Sequence, residues 1–298
     1  MLTGMRPRVR WLALLPLLLA ADGAYVAGIE TWRAAREQRL RAEDGWLAVA
    51  GLYWLEPGAS RFGTDKDNEI VFPAGSAPAL AGTLEHRDGK TLLRPAPGVA
   101  LLVNGAPPAG PRELRPDSSG EPDVMKLGRL TFLLIERGGK VGLRLRDPER
   151  PQRKAFTGLS WYPVREELRV AARFVPHGER KTVGVPNVLG QTVEMVSPGK
   201  VRFKVGGAEV SLDALFEEPD AKELFFVFAD ATAGKGGSYP GGRFLYTELP
   251  KDGQVVLDFN RAYSPPCAFT EFATCPLPPP QNRLRVKIEA GEKYAGAH

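Results

Sequence analysis

Thirty-three glycines and 27 prolines are spread through 298 residues, so a helix breaker or turn former recurs about every fifth position. Such punctuation leaves little room for long helices, and no Gly-X-Y period accompanies it, which excludes a collagen-like rod. Short strands joined by tight turns can survive it. One stretch escapes: Ile29 to Asp44, reading IETWRAAREQRLRAED, has neither Gly nor Pro and is rich in Ala, Arg and Glu. It is expected to be a helix over 29–44, with Trp32, Ala35 and Leu40 as a narrow apolar face.

Downstream of Gly45 the pattern is that of strands. β-rich runs at Trp46–Leu55, Glu69–Phe72, Leu92–Arg94, Val99–Val103, Leu130–Ile135 and Val141–Arg146 are separated by turn clusters, of which Asn104-Gly105 is the strongest. After a polar, Pro-containing linker near Asp147–Lys154 the runs resume: Arg169–Val175, Lys181–Val185, Gln191–Val196, Lys200–Val205, Ala208–Leu212, Leu224–Ala229, Arg243–Thr247, Val255–Phe259 and Arg283–Glu289. A short helical turn is expected at Leu212–Glu217. The fold class is therefore all-β, with two sandwich-like or barrel-like lobes at 45–150 and 151–294, preceded by an N-terminal signal or anchor (1–23) and the helix.

Hydrophobic residues at 43% and charged residues at 25% describe a globular chain with enough apolar matter for a core. Forty Lys and Arg against 35 Asp and Glu leave a net charge of +5, with no basic block, so nucleic acid is not an expected partner. Two Cys and three His exclude a zinc-finger array or a multi-cysteine cluster, and no metal or cofactor is expected.

The first residues point to a compartment. Arg6, Arg8 and Arg10 precede an apolar run from Trp11 to Ala21, and Ala21-Asp22-Gly23 has small residues where a signal peptidase would need them. This order predicts export to the periplasm or cell envelope. The alternative is an uncleaved anchor, the only way such a chain would touch a membrane. In an oxidising compartment Cys267 and Cys275 are expected to form a disulfide, contributing on the order of 2–3 kcal/mol for so short a loop; metal ligation would need partners from elsewhere.

Standard catalytic signatures fail. Gly236-Gly237-Ser238-Tyr239-Pro240 misses the nucleophile elbow at its fifth residue, and Gly234, Gly236 and Gly237 complete neither a dinucleotide fingerprint nor a P-loop. The unusual segment is 257–282, LDFNRAYSPPCAFTEFATCPLPPPQN, where prolines and aromatics stiffen a run that carries Asp258, Asn260, Arg261 and Tyr263. Asp230, at the end of an apolar strand, and Tyr239 and Arg243, before the next, are candidates to join it. Charged groups beside aromatic rings suit a carboxylate, sugar or peptide ligand, while Asp258–Arg261 and Asp230–Arg243 could equally be internal pairs.

On several of these stretches the chain resembles the bacterial and archaeal domain-of-unknown-function family 1684. They include Asp44-Gly45-Trp46-Leu47, Gly51-Leu52-Tyr53-Trp54-Leu55, Phe226-Val227-Phe228-Ala229-Asp230 and above all Asp258-Phe259-Asn260-Arg261-Ala262-Tyr263 through Pro265-Pro266-Cys267 and Thr274-Cys275-Pro276. The resemblance implies an exported or envelope-associated all-β protein and no activity; Ser264 stands where the pattern has Asn. Residues 60–146 also resemble a forkhead-associated sandwich at Arg61-Phe62-Gly63, Asn68-Glu69-Ile70-Val71, Val103-Asn104-Gly105 and Leu127-Gly128-Arg129-Leu130. The phosphothreonine-reading elements of that fold are absent, which implies a scaffold. The expected function is binding of a small polar ligand or an envelope partner through the C-terminal lobe. The alternative is a carboxylate-dependent hydrolase or lyase using Asp230 and Asp258.

Overall fold

The computed structural model describes residues 15–218, 220–294 and 296. Most of the expected signal, residues 1–14, lies outside the described residues. Helix α1 runs Leu15–Arg41, longer at its start and shorter at its end than the expected 29–44. The helix stops because Gly45 is pressed against the carbonyls of Arg39, Leu40 and Ala42, an approach no side chain would permit. Among the described residues no helix is long and apolar enough to cross a membrane.

The protein is mostly β, as expected. Ten strands follow the helix: β1 (Val49–Trp54), β2 (Gly58–Gly63), β3 (Ile70–Val71), β4 (Gly82–Arg87), β5 (Lys90–Pro95), β6 (Leu101–Val103), β7 (Arg112–Leu114), β8 (Val124–Leu127), β9 (Leu130–Arg137) and β10 (Lys140–Arg146). They make two five-stranded sheets, ordered β1-β10-β9-β8-β6 and β3-β2-β4-β5-β7. Their inner faces enclose one core in which Phe62, Phe72 and Phe132 meet at centroid separations of 5.3–5.9 Å. The Asn104-Gly105 turn forms as read, with both residues at positive φ.

A one-turn helix, α2 (Pro151–Ala155), occupies part of the linker. The second lobe then follows: β11 (Ser160–Trp161), β12 (Arg169–Pro186), β13 (Thr192–Val205), β14 (Ala208–Phe216), β15 (Glu223–Phe228), β16 (Arg243–Glu248), β17 (Gln254–Asp258) and β18 (Glu292–Lys293). Pairs of expected strands fuse here into one long hairpin, β12–β13, with a bulge between Pro176 and Lys181. The turn expected at Leu212–Glu217 is instead the end of β14, because Leu212, Ala214 and Leu215 are buried in ladder positions. Arg283–Glu289 alternates like a strand and forms none. Its backbone bonds go to Ala229, Ala231 and the Asp230 carboxylate rather than to a ladder.

The six-stranded sheet, β16-β15-β14-β13-β12-β17, curls around a core that includes Phe203, Phe226, Phe228 and Phe259. Its end strands come together without pairing along their length; the Thr247 hydroxyl donates to the Val256 carbonyl across the gap at 2.6 Å. The lobe is thus barrel-like with an open seam. Helix α1 lies against the end of this lobe. Arg33 donates to the Tyr162 carbonyl at 2.9 Å, and Arg36 reaches both the Ser264 carbonyl and the buried Glu292 carboxylate at 2.8 Å.

Candidate functional site

The expected site residues divide into two groups. Asp230 and Arg243 meet, but inside the protein. Arg243 has no exposed surface; its Nη2 donates to Asp230 Oδ1 and to the Ile288 carbonyl, each at 3.0 Å, and its Nη1 donates to the Ala290 carbonyl. The Ile288 amide donates to Asp230 Oδ2 at 2.5 Å, and the Thr232 hydroxyl also donates to that carboxylate. Burial pulls the Arg243 pKa down and Asp230 holds it up. This pair ties the 283–290 segment to the barrel and offers no face to a ligand. Asn260, also fully buried, receives the Arg165 amide at 2.9 Å and donates to the Arg165 carbonyl and the Tyr25 hydroxyl. Tyr239 donates to the Cys267 carbonyl at 3.1 Å and meets Tyr294 edge-on.

Asp258, Arg261 and Tyr263 instead line a cleft. Two contiguous cavities of about 740 and 520 Å³ share Glu223, Tyr246 and Arg261. The larger lies between α1 and the 263–269 segment, and the smaller lies over the seam between β16 and β17. Tyr263 comes from the stiff loop after β17 and Tyr246 from β16; their rings lie almost parallel, 13° apart at 6.3 Å. Behind Tyr246 stands Phe225, stacked at 4.8 Å. Trp32 leans on Tyr263 at 6.3 Å, and the Arg36 guanidinium sits 4.2 Å over the same ring. Trp46 completes the wall.

The polar groups sit at the rim. Tyr246 donates to Glu217 Oε2 at 2.6 Å. Glu217 keeps accessible surface at the mouth, but desolvation around its carboxyl pushes its pKa above the usual range, against the hydrogen bond from Tyr246. Burial likewise pushes Tyr263 up to about 12, with Arg36 opposing. At the far end Tyr25 donates to Asp258 Oδ1 at 2.8 Å, and Arg261, half exposed, keeps its Nε 3.7 Å from Asp258 Oδ2. Arg261 is therefore held to the fold by one loose ion pair. An aromatic shelf with one loosely held guanidinium suits a flat-faced polar molecule. Among the described residues no group of three or more His, Cys, Asp or Glu could hold a metal ion.

Sequence reasoning missed Trp32 and Arg36 as site residues, because a helix with so many charges reads as a solvated surface. The signal was there: Trp32, Arg36 and Leu40 follow one another at four-residue spacing, one stripe of the helix, and all three face the cleft. The expected disulfide is not formed; Cys267 and Cys275 are both free thiols, and the Cys267 amide donates to Cys275 Sγ at 3.1 Å.

A two-lobed β protein with a helix-capped cleft on its C-terminal lobe is the class these features define. Residues 154–293 match the family model described as "Protein of unknown function (DUF1684)". The chain is also similar to an uncharacterized protein of Haloarcula marismortui solved by NMR, at 32% identity over 51% of this chain and 85% of that one, with a TM-score of 0.42. The chain belongs to this family of proteins of unknown function. Two FHA domains, one solved with the intracellular domain of another protein and one from a study of phosphothreonine-dependent interactions, are each 17% identical at a TM-score of 0.23. They match 32% of this chain and 97% and 92% of their own. No curated protein matches.

Proposed function

We propose that this chain is a binding protein whose ligand is a small polar molecule with a flat or apolar face, held in the cleft between α1 and the seam of the C-terminal lobe. The observation that carries this reading is the near-parallel Tyr246–Tyr263 pair set beside the half-exposed Arg261. Stacking would hold the ligand's face and the guanidinium an anionic or hydroxyl-bearing edge. The hydrolase alternative loses support, since Asp230 is sealed in its pair with Arg243. We further propose export, supported by the Arg6–Arg10 basic stretch and the apolar run behind it; an envelope protein is then the alternative occupant of the cleft.

The test uses the full chain and the fluorescence of its tryptophans, two of which line the cleft. Galacturonate, glucose and a simple dipeptide serve as probes for the acid, sugar and peptide classes. One class should give a saturable change, and Arg261→Ala should weaken it about tenfold, or 1.4 kcal/mol, with the melting temperature unmoved. Silence from all three, together with native mass spectra of the cell-derived protein free of any small adduct, would sink the small-ligand reading. The same spectra report whether the N-terminus is cut.

A further inference from the structure

The segment 265–276 does more than wall the cleft. It wedges between the lobes: Thr270 donates to the Val49 carbonyl at 3.2 Å, and Arg150 lies 5.8 Å from the Phe272 ring. At its two ends sit Cys267, partly exposed, and Cys275, 5% exposed. The Cys267 N–H points at the Cys275 sulfur, which brings the two thiols into one pocket of the core with Trp46, Phe244 and Tyr263.

Above this pair the charge is unusual. Arg144 of β10 is 5% exposed, and its Nε finds no hydrogen-bond acceptor among the described residues. Its Nη2 donates to the Thr274 hydroxyl at a long 3.4 Å, and its guanidinium lies 5.1 Å from the Trp46 ring. Desolvation pulls its pKa down to about 10, with Arg137 and Arg146 adding repulsion; Asp117 and the Cys275 sulfur act in the other direction. A buried cation without a bonded carboxylate is costly, and its neighbour on this chain that can become an anion beside it is a thiol.

We propose that Cys267 and Cys275 form a thiol–disulfide exchange centre, in which the accessible Cys267 attacks a disulfide-bearing thiol carrier and the buried Cys275 resolves the product. The Cys267 thiolate forms a bond to one carrier sulfur, and the carrier's S–S bond breaks, releasing one carrier thiolate. Cys275, its proton lost to solvent, then attacks Cys267 Sγ, and the second carrier thiolate leaves. The chain is oxidised by two electrons, the carrier disulfide is reduced to two thiols, and the two protons balance. The division of labour agrees with the acidities. The hydrogen bond from Cys275 lowers the Cys267 pKa and that from Tyr239 adds to it, while the same pairing and burial keep the proton on Cys275. Because Pro266 and Phe269 line the cleft, closing the bond draws on the cleft's own wall. The exchange chemistry stands whether or not the cleft holds a ligand.

The test is made on the reduced full chain exposed to oxidised glutathione and read by intact mass. The wild type should lose about two daltons, and native protein should regain them in dithiothreitol. Cys275→Ser should accumulate one glutathione adduct, mapped to Cys267, while Cys267→Ser should accumulate none. In the unmutated chain, limiting iodoacetamide should label Cys267 at least tenfold faster than Cys275. The proposal is overturned if the wild type keeps both thiols, if its bond resists dithiothreitol until the protein is unfolded, or if Cys275 is labelled first.

Discussion

At the scale of single residues, two buried arginines look alike and should behave oppositely. Arg243 is bonded to the equally buried Asp230, so removing it leaves a sealed carboxylate without its cation. Arg243→Met is expected to cost about 3–5 kcal/mol, measured by urea unfolding. Arg144 carries no such debt to a carboxylate. Arg144→Met replaces a desolvated charge with a chain of similar length, and the reduced protein is expected to be as stable or about 1–3 kcal/mol more stable. Asp123 supplies the pH handle. Burial alone would raise its pKa, but the bonds from the Arg115 amide and guanidinium and from Asn104 win and hold it at about 2, below the ordinary 3.8. Such a depressed carboxylate stabilises the fold above pH ~4, and that stability is lost as pH falls towards ~2. Asp123→Asn should cost about 2 kcal/mol at neutral pH and flatten the stability profile across that window in urea melts.

At the scale of elements, α1 is held by polar ties as well as by its buried Ile29 and Leu40. Arg36 is the central one, and its partner Glu292 is almost wholly buried, with a pKa raised by desolvation and opposed by Arg36. Arg36→Met should leave Glu292 either charged and unpaired or protonated, and in both cases loosen the helix. Hydrogen exchange over residues 23–41 is expected to rise sharply while the barrel strands stay protected. Elements also show where the chain could be read. Strands dense in Val, Leu and Phe, such as β9, β10 and β15, announce themselves locally. GASRFG of β2 and GTLEHR of β4 do not, because their stability comes from pairing with each other and from Phe62 in the core. The loop 257–282 was legible as ordered and polar. Which of its groups face outward was not, since the burial of Asn260 depends on Arg165 and Tyr25, far away in the chain. Asp230 and Arg243 read equally well as a site or a joint; only the approach of Ile288 and Ala290 decides it.

At the scale of the whole molecule, two cores are built separately and joined by a wedge and a helix. The N-terminal core draws on residues 55–145 and the barrel core on 168–290; a further cluster around Val185, Phe225 and Cys275 lies on the C-terminal lobe, and Leu40, Leu47, Ala268 and Phe269 form a small one at the junction. The seating of α1 fixes an order of events. Its carboxylate anchor Glu292 lies 256 residues after Arg36, and Asp258, which receives Tyr25, lies 233 residues on. During synthesis the helix is made before the lobe it rests on and finds its place after that lobe has folded. Every contact that seats it waits for strands and loops still to be translated. The cleft is therefore a feature of the finished chain alone. A ribosome-bound intermediate can hold a folded N-terminal sandwich, but it has no Tyr246–Tyr263 shelf for Trp32 to close. An N-terminal fragment, however well folded, lacks this cleft.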